Sequence, residues 1–189
     1  MSSLKAEDYI GQPTRPALHP CTLLDLMDLA RVGFRGTQSA EYLQRCGFVL
    51  PEVPNRAVTQ ADGSHIARLS QTEYFLLGSQ ADQGQRIADE EARWELDHNA
   101  NYLLPRQDSH AWIQLSGSQL PALMAKLCGV DLRAEAFGPG AVAQTSAARI
   151  NVIVVNVGGE GVPTFQVLFD RASHEYFIAA VQDAMQEFA

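Results

Sequence analysis

A repeat at a spacing of 81 residues constrains the fold of this chain more than any other feature. Val32-Gly33-Phe34-Arg35-Gly36-Thr37-Gln38 alternates like a short strand and turns at Gly36. Ser39 to Cys46 then reads as a helix closed by Gly47 in the C′ position. Trp112-Ile113-Gln114-Leu115-Ser116-Gly117-Ser118-Gln119 repeats the strand and turn, and Leu120 to Cys128 repeats the helix, closed by Gly129. Phe34 and Leu115, Gly36 and Gly117, Tyr42 and Leu123, and Arg68 and Arg149 all keep the spacing, and the cysteines pair after one inserted residue. A unit that recurs in this way reads as one domain built from two similar halves.

Each copy continues with strands and a closing helix. In the first, Ala57 to Gln60 reaches an Asp62-Gly63 hairpin turn, followed by strands His65–Leu69 and Glu73–Leu77 and a helix Arg86–Trp94. In the second, Ala141–Gln144 and Ile150–Val155 precede a Gly158–Gly161 turn, a strand Phe165–Phe169 and a helix Ala172–Phe188. That helix carries an apolar stripe through Phe177, Val181, Met185 and Phe188. The expected fold is α+β: two pseudo-repeated strand-helix-strands-helix halves, with antiparallel sheets backed by helices. Their bounds are about 23–100 and 106–189 within a single domain 23–189. Cys21 to Leu29 is an apolar run broken by acids, for which helix and strand both stay open. Pro13, Pro16 and Pro20 make residues 1–22 an extended arm rather than a helix. Its Tyr9 and Ile10 are expected to anchor it on a large partner, since a free tail would be more polar.

Composition narrows the function. The chain carries 14 Lys+Arg against 22 Asp+Glu, a formal charge of −8, and so lacks the basic stripe a nucleic-acid binder needs. With 46% apolar and 19% charged residues it is not disordered, and apolar surface is left over for a partner. No run approaches the roughly 18 apolar residues of a membrane span, and Met1 to Asp8 does not read as a signal peptide. A soluble, cytoplasmic protein is expected. Cys21, Cys46 and Cys128 form no C-x-x-C pair and read as buried thiols.

The residues offer no active site: no catalytic, cofactor-binding or metal-ligating set is expected. The five histidines show no H-E-x-x-H spacing. Asp108-Ser109-His110 looks like a scrambled triad, but neighbours in sequence point apart, so a polar connector into the Trp112 strand is the better reading. Gly158-Gly159-Glu160-Gly161 opens a strand, where no helix N-terminus follows to hold a pyrophosphate. Trp94, Trp112, Phe165 and Phe177 read as core.

Several stretches together carry a resemblance. Phe34-Arg35-Gly36 with its helix, and Arg68 to Leu77, resemble the first half of the folate-binding aminomethyltransferase (GcvT-type) domain. Trp112 to Gly117 and Phe137 to Thr145 resemble its second half. Within that family the sequence is most similar to the gamma subunits of heterotetrameric sarcosine oxidases. It shares an Asp108-Ser109-His110 lead into an aromatic strand, the F-x-P-G-x-x-x-Q-T pattern from Phe137 to Thr145, and the Phe169 to Tyr176 strand-to-helix junction. The likeness spans roughly Leu23 to Ala189.

The resemblance implies a subunit of an oxidoreductase rather than a free enzyme. In that family FAD, FMN, NAD, tetrahydrofolate and zinc are carried by the alpha, beta and delta subunits, and the gamma chain holds none. The complex oxidatively demethylates an N-methyl amine with flavin and oxygen and passes the one-carbon unit to tetrahydrofolate on another subunit. The alternative it leaves is a free-standing folate-dependent one-carbon transferase. Full aminomethyltransferases continue into a C-terminal barrel that this sequence does not reach. They also grip the pterin with the last glutamate of G-E-x-G-[FY]-E, where the nearest stretch here, Gly159 to Gln166, ends in glutamine. A carboxylate matches a pterin's paired N–H donors with two acceptors, whereas Gln166 offers one, so folate is expected to bind weakly or not at all.

Overall fold

A computed structural model of the chain describes residues 20–159 and 161–188. The arm lies outside them except for its last residues, 20–22. Among these residues ten strands and four α-helices follow one another, beginning with β1 Thr22–Asp25, β2 Arg31–Arg35, α1 Ser39–Arg45, β3 Arg56–Thr59, β4 His65–Arg68, β5 Glu73–Leu77 and α2 Gln85–Arg93. The second half has β6 Tyr102–Pro105, β7 His110–Ser116, α3 Leu120–Leu127, β8 Val142–Ala147, β9 Ile150–Asn156, β10 Thr164–Asp170 and α4 His174–Met185. Short 3₁₀ turns lie at both ends of α4.

The strands form two five-stranded antiparallel sheets, ordered β1-β7-β10-β9-β8 and β3-β4-β5-β2-β6. The expected α+β architecture is present, with one feature added. The short lead strand of each half joins the other half's sheet: β1 pairs with β7, and β6 with β2. The chain therefore crosses between the sheets twice, at residues 26–30 and 106–109.

Alternation along the strands creates four layers. Ala67, Leu69, Phe75 and Leu77 of one sheet meet Trp112, Val142, Val155 and Leu168 of the other in a central core. The opposite faces bury Val32, Phe34, Ile66 and Tyr74 under α1 and α2, and Ile113, Leu115, Val167 and Phe169 under α3 and α4. Trp112, Phe165 and Phe177 are core as expected, and Trp94 packs half-buried on the first helix layer. Cys128 is buried and Cys21 and Cys46 are partly so, all three free thiols.

The two repeat glycines allow the lead strands to cross. A Cβ on Gly36 (φ +150°) would lie 1.9 Å from the Ala100 carbonyl oxygen, and one on Gly117 (φ +145°) 2.3 Å from that of Pro20. No side chain fits there, because each incoming segment lies directly on the turn. Gln38 N–H donates to Ala100 O (3.0 Å) and Gln119 N–H to Pro20 O (2.9 Å), the same bond in both halves. Gly47 is left-handed at φ +82° as expected of a C′ glycine. Gly129 is not, because Cys128 turns extended to bridge Ala147 and ends α3 instead.

The sheets are sewn together at the β3–β8 corner. Ala57 N–H donates to Gly140 O (2.8 Å) and Val142 N–H to Asn55 O (3.0 Å). The Gln144 amide donates to Asn55 Oδ1 (2.8 Å) and Leu69 O (2.7 Å). Gln144 belongs to the F-x-P-G-x-x-x-Q-T stretch, so in this chain the motif serves as a seam between halves.

Candidate functional site

The repeat register identifies the two positions where a ligand site could form between the sheets. Arg31 corresponds to Trp112 and Gly33 to Gln114. Gly33 pairs with Phe75 across β2–β5, and Gln114 with Gln166 across β7–β10. Phe75 and Gln166 are therefore structural counterparts, and each points into the space between the sheets.

Gln166 is 2% exposed, and its amide is engaged at both ends. The Trp112 indole N–H donates to Gln166 Oε1 at 2.7 Å. An indole can only donate, which fixes the amide's orientation and turns its NH2 toward Gln114 Oε1 at 3.0 Å. Gln80, at the surface, donates to the same Gln114 oxygen at 3.4 Å. A line of amides thus runs from solvent through Gln80, Gln114 and Gln166 to the Trp112 indole. The Gln166 acceptor oxygen already serves Trp112.

In the other half, Arg106 occupies the corresponding space. Its guanidinium lies 5.4 Å from the Phe75 ring centroid and donates to Glu73 Oε1 at 2.8 Å. A Cβ on Gly33 would come within 2.8 Å of Arg106 Nε, so the glycine makes room for this side chain. Neither counterpart position is left as an open apolar slot.

A groove of about 910 Å³ opens at the end of the inter-sheet space and is lined by Ser109, His110, Gln144, Arg149, Leu168 and Asp170, among others. His110 packs against Phe75 and its Nδ1 lies 2.8 Å from Ser109 Oγ. Ser109 Oγ is also 3.1 Å from Pro105 O. A hydroxyl has one proton, so donating to Pro105 leaves it accepting from His110 Nδ1–H. That tautomer cannot take the serine proton. Burial, aided by Arg106 and Arg31, holds the imidazole pKa down at about 4 and makes it a weak base. Asp170 is opposite His110 in register, but its carboxylate accepts from Ala172 N–H at 2.9 Å, capping the turn before α4. Asp108 is exposed and makes no part of the pair. The Asp-Ser-His lead is a strand entry, not a triad.

Arg31 is the polar residue that the sequence gives least reason to single out. It is fully buried and donates to four backbone carbonyls in the two crossovers. Nε reaches His110 O (2.8 Å), Nη1 reaches Met27 O (3.0 Å) and Leu29 O (2.9 Å), and Nη2 reaches Gln107 O (3.1 Å). Burial, with Arg171 nearby, lowers its pKa to about 10, so it stays charged at neutral pH. Its counterpart Trp112 marks the same inward face and is the only sequence signal for it.

Among the described residues no group of three or more His, Cys, Asp or Glu is placed to hold a metal ion, and no helix is long and apolar enough to cross a membrane.

No family model matches the chain, and no curated protein matches it by sequence. Its likeness is to solved structures. The chain is similar to a chain of the heterotetrameric sarcosine oxidase from Corynebacterium sp. U-96, in complex with pyrrole 2-carboxylate, at 21% identity and a TM-score of 0.70. The match covers 89% of this chain and 85% of that one. It is also similar to the glycine cleavage system aminomethyltransferase T from Bartonella henselae, at 13% identity and a TM-score of 0.61. That match covers 85% of this chain but spans only 45% of the transferase. The fold is therefore the one shared by these two proteins.

Proposed function

We propose that this chain is the non-catalytic gamma-type subunit of a cytoplasmic heterotetrameric complex of the sarcosine oxidase kind. Its partners are the alpha, beta and delta subunits, which carry FAD, FMN, NAD, tetrahydrofolate and zinc. The complex removes an N-methyl group oxidatively from an amine and hands the one-carbon unit to tetrahydrofolate outside this chain. The observation that carries the reading is the closed Trp112–Gln166–Gln114 arrangement. A pterin needs a free two-oxygen acceptor, and here one amide oxygen is already bonded to the indole. The similarity to a sarcosine oxidase chain supports it further: the mutual coverage makes the two chains of similar length, as expected for matching subunits.

The test is to tag this chain in its native cell, purify it and titrate the isolated chain with tetrahydrofolate calorimetrically. Co-purification of yellow large subunits, with no stoichiometric heat of folate binding, is the expected outcome. A lone protein that binds tetrahydrofolate stoichiometrically at micromolar concentration would overturn the reading in favour of a free-standing one-carbon transferase.

A further inference from the structure

Strand register, rather than sequence spacing, pairs one further position of the first half with its counterpart in the second. Phe75 lies opposite Ala67, and its counterpart Gln166 lies opposite Val155. The next residues, Arg68 at the end of β4 and Asn156 at the end of β9, are therefore counterparts too, opposite Tyr74 and Phe165. In the first half this position is filled. The Arg68 guanidinium lies 5.6 Å from the Tyr74 ring centroid and spans the loop after α1 and the β4–β5 turn. It donates to Pro51 O (3.3 Å) and Glu52 O in the loop, and to Ser70 O (3.2 Å) and Gln71 O (3.0 Å) in the turn.

Asn156 is too short to do the same. Its amide folds back on the neighbouring backbone, with Nδ2 donating to Phe137 O (2.6 Å) and Oδ1 accepting from Gly158 N–H (3.0 Å). Between the loop after α3 and the β9–β10 turn this leaves a cavity of about 120 Å³. Its walls are Leu132, Phe137, Phe165 and three prolines, Pro121, Pro139 and Pro163. Phe137 and Phe165 meet edge to face, with centroids 5.5 Å apart and an interplanar angle of 89°. No ionisable side chain lines the cavity among the described residues, and its one side-chain amide is engaged at both ends. Apolar cavities of about 150 Å³ stay dry and take up benzene. This one is a little smaller, so it has room for one six-membered ring and not for a fused pair.

We infer that this cavity is a binding site for a small molecule carrying a single uncharged aromatic ring, seated against Phe137 and Phe165. Aromatic edges and proline faces supply dispersion contacts to such a ring. A charged ring would lose its hydration with no described group to replace it. The inference does not depend on the proposed complex. It makes the two halves differ in use at one position: Arg68 closes the first, and Asn156 leaves the second open to a ligand.

The probe is benzene, titrated against the full chain. Nuclear Overhauser contacts from benzene to the Leu132 and Phe137 side chains should appear, and the thermal midpoint should rise by about 3 °C near saturation. Benzoate, which is charged, and indole, which is bicyclic, should give neither signal. Ala134→Phe, which sets a ring at the exposed rim, should abolish both signals for benzene. The chain co-purified with its partners should take up benzene as the isolated chain does. Absence of contacts at Leu132 and Phe137 up to the solubility of benzene would overturn the inference, as would equal binding of benzoate or an undiminished signal in a folded Ala134→Phe chain. Loss of benzene binding in the co-purified complex would overturn it as well, because a partner's side chain would then be the occupant.

Discussion

Replacing Arg31 tests whether the two crossovers are held by one side chain. Arg31→Met keeps the length and apolar stem but removes all the donors. Two of the four carbonyls retain another partner: Met27 O also accepts from Gln107 Nε2 (3.0 Å) and Gln107 O from Arg171 Nη1 (2.7 Å). Leu29 O and His110 O lose the side-chain donor they have. Each buried acceptor left unpaired costs about 1–3 kcal/mol, or about 2–6 kcal/mol for the pair. Releasing the buried charge returns part of that. A net loss of about 3 kcal/mol lowers the midpoint of a domain this size by about 6–12 °C. Arg31→Lys should fare no better, because a point ammonium cannot reach four carbonyls in two segments and is costly to bury. Thermal melts by circular dichroism, with hydrogen exchange on residues 26–30 and 106–109, provide the readout. If Arg31→Met melts within about 1 °C of the parent, or if lysine restores full stability, the guanidinium fork is not what joins the crossovers.

The remaining predictions concern pH and the repeat turn. Burial holds the pKa of both His65 and His110 at about 4, for His65 against the pull of Asp62 and for His110 with help from Arg106 and Arg31. The unfolded chain takes up these protons first, so stability is full above about pH 6.5 and is lost as pH falls from there through 4. For His65 the loss is at most about 3 kcal/mol, and for the half-buried His110 it is less. Melts between pH 7.5 and 4 should show it, and His65→Gln should flatten the curve; an unflattened curve would assign the loss elsewhere. Gly36→Ala places a methyl 1.9 Å from the Ala100 oxygen and should destabilise the fold by more than about 4 kcal/mol. Gly129→Ala, with nothing within 4 Å, should be nearly neutral in the same melt.

Much of this fold is legible because its elements announce themselves locally. α1 and α3 follow their turn glycines, the Asp62-Gly63 hairpin has Gly63 at φ +86°, and β9 is a run of branched residues whose existence needs no tertiary information. The lead strands are different. β1 and β6 have four residues each, β6 ends on a proline, and both pair with partners about 70 to 90 residues away. Propensity cannot choose between strand and connector at that length, so Tyr102–Pro105 falls between the two expected halves and Thr22–Asp25 stays open. Arg31 is hidden for another reason. An arginine opening a strand looks like a solvated charge, and only the convergence of two crossovers supplies the carbonyls that make its burial tolerable. Gln166 stands out by its departure from a family signature, but its partner Trp112 is 54 residues away and is fixed only by the β7–β10 register.

The two halves also fill the same internal position in two different ways. At the same register position one half places Phe75 under the Arg106 guanidinium, and the other places Gln166 between Trp112 and Gln114. Both solutions satisfy the buried polar groups with side chains of this chain, apart from Arg106 Nε, which has no partner. A ligand entering either position would first have to break those contacts, at a cost of about 1–3 kcal/mol for each buried group left unpaired. No comparable cost attaches to the outer faces, where Tyr102 on edge strand β6 and Leu24 on edge strand β1 are half-exposed. Edge strands carry unpaired backbone donors and acceptors that another chain can satisfy. The free edges of β1 and β6 are therefore places where another chain could pair without breaking any buried contact of this one.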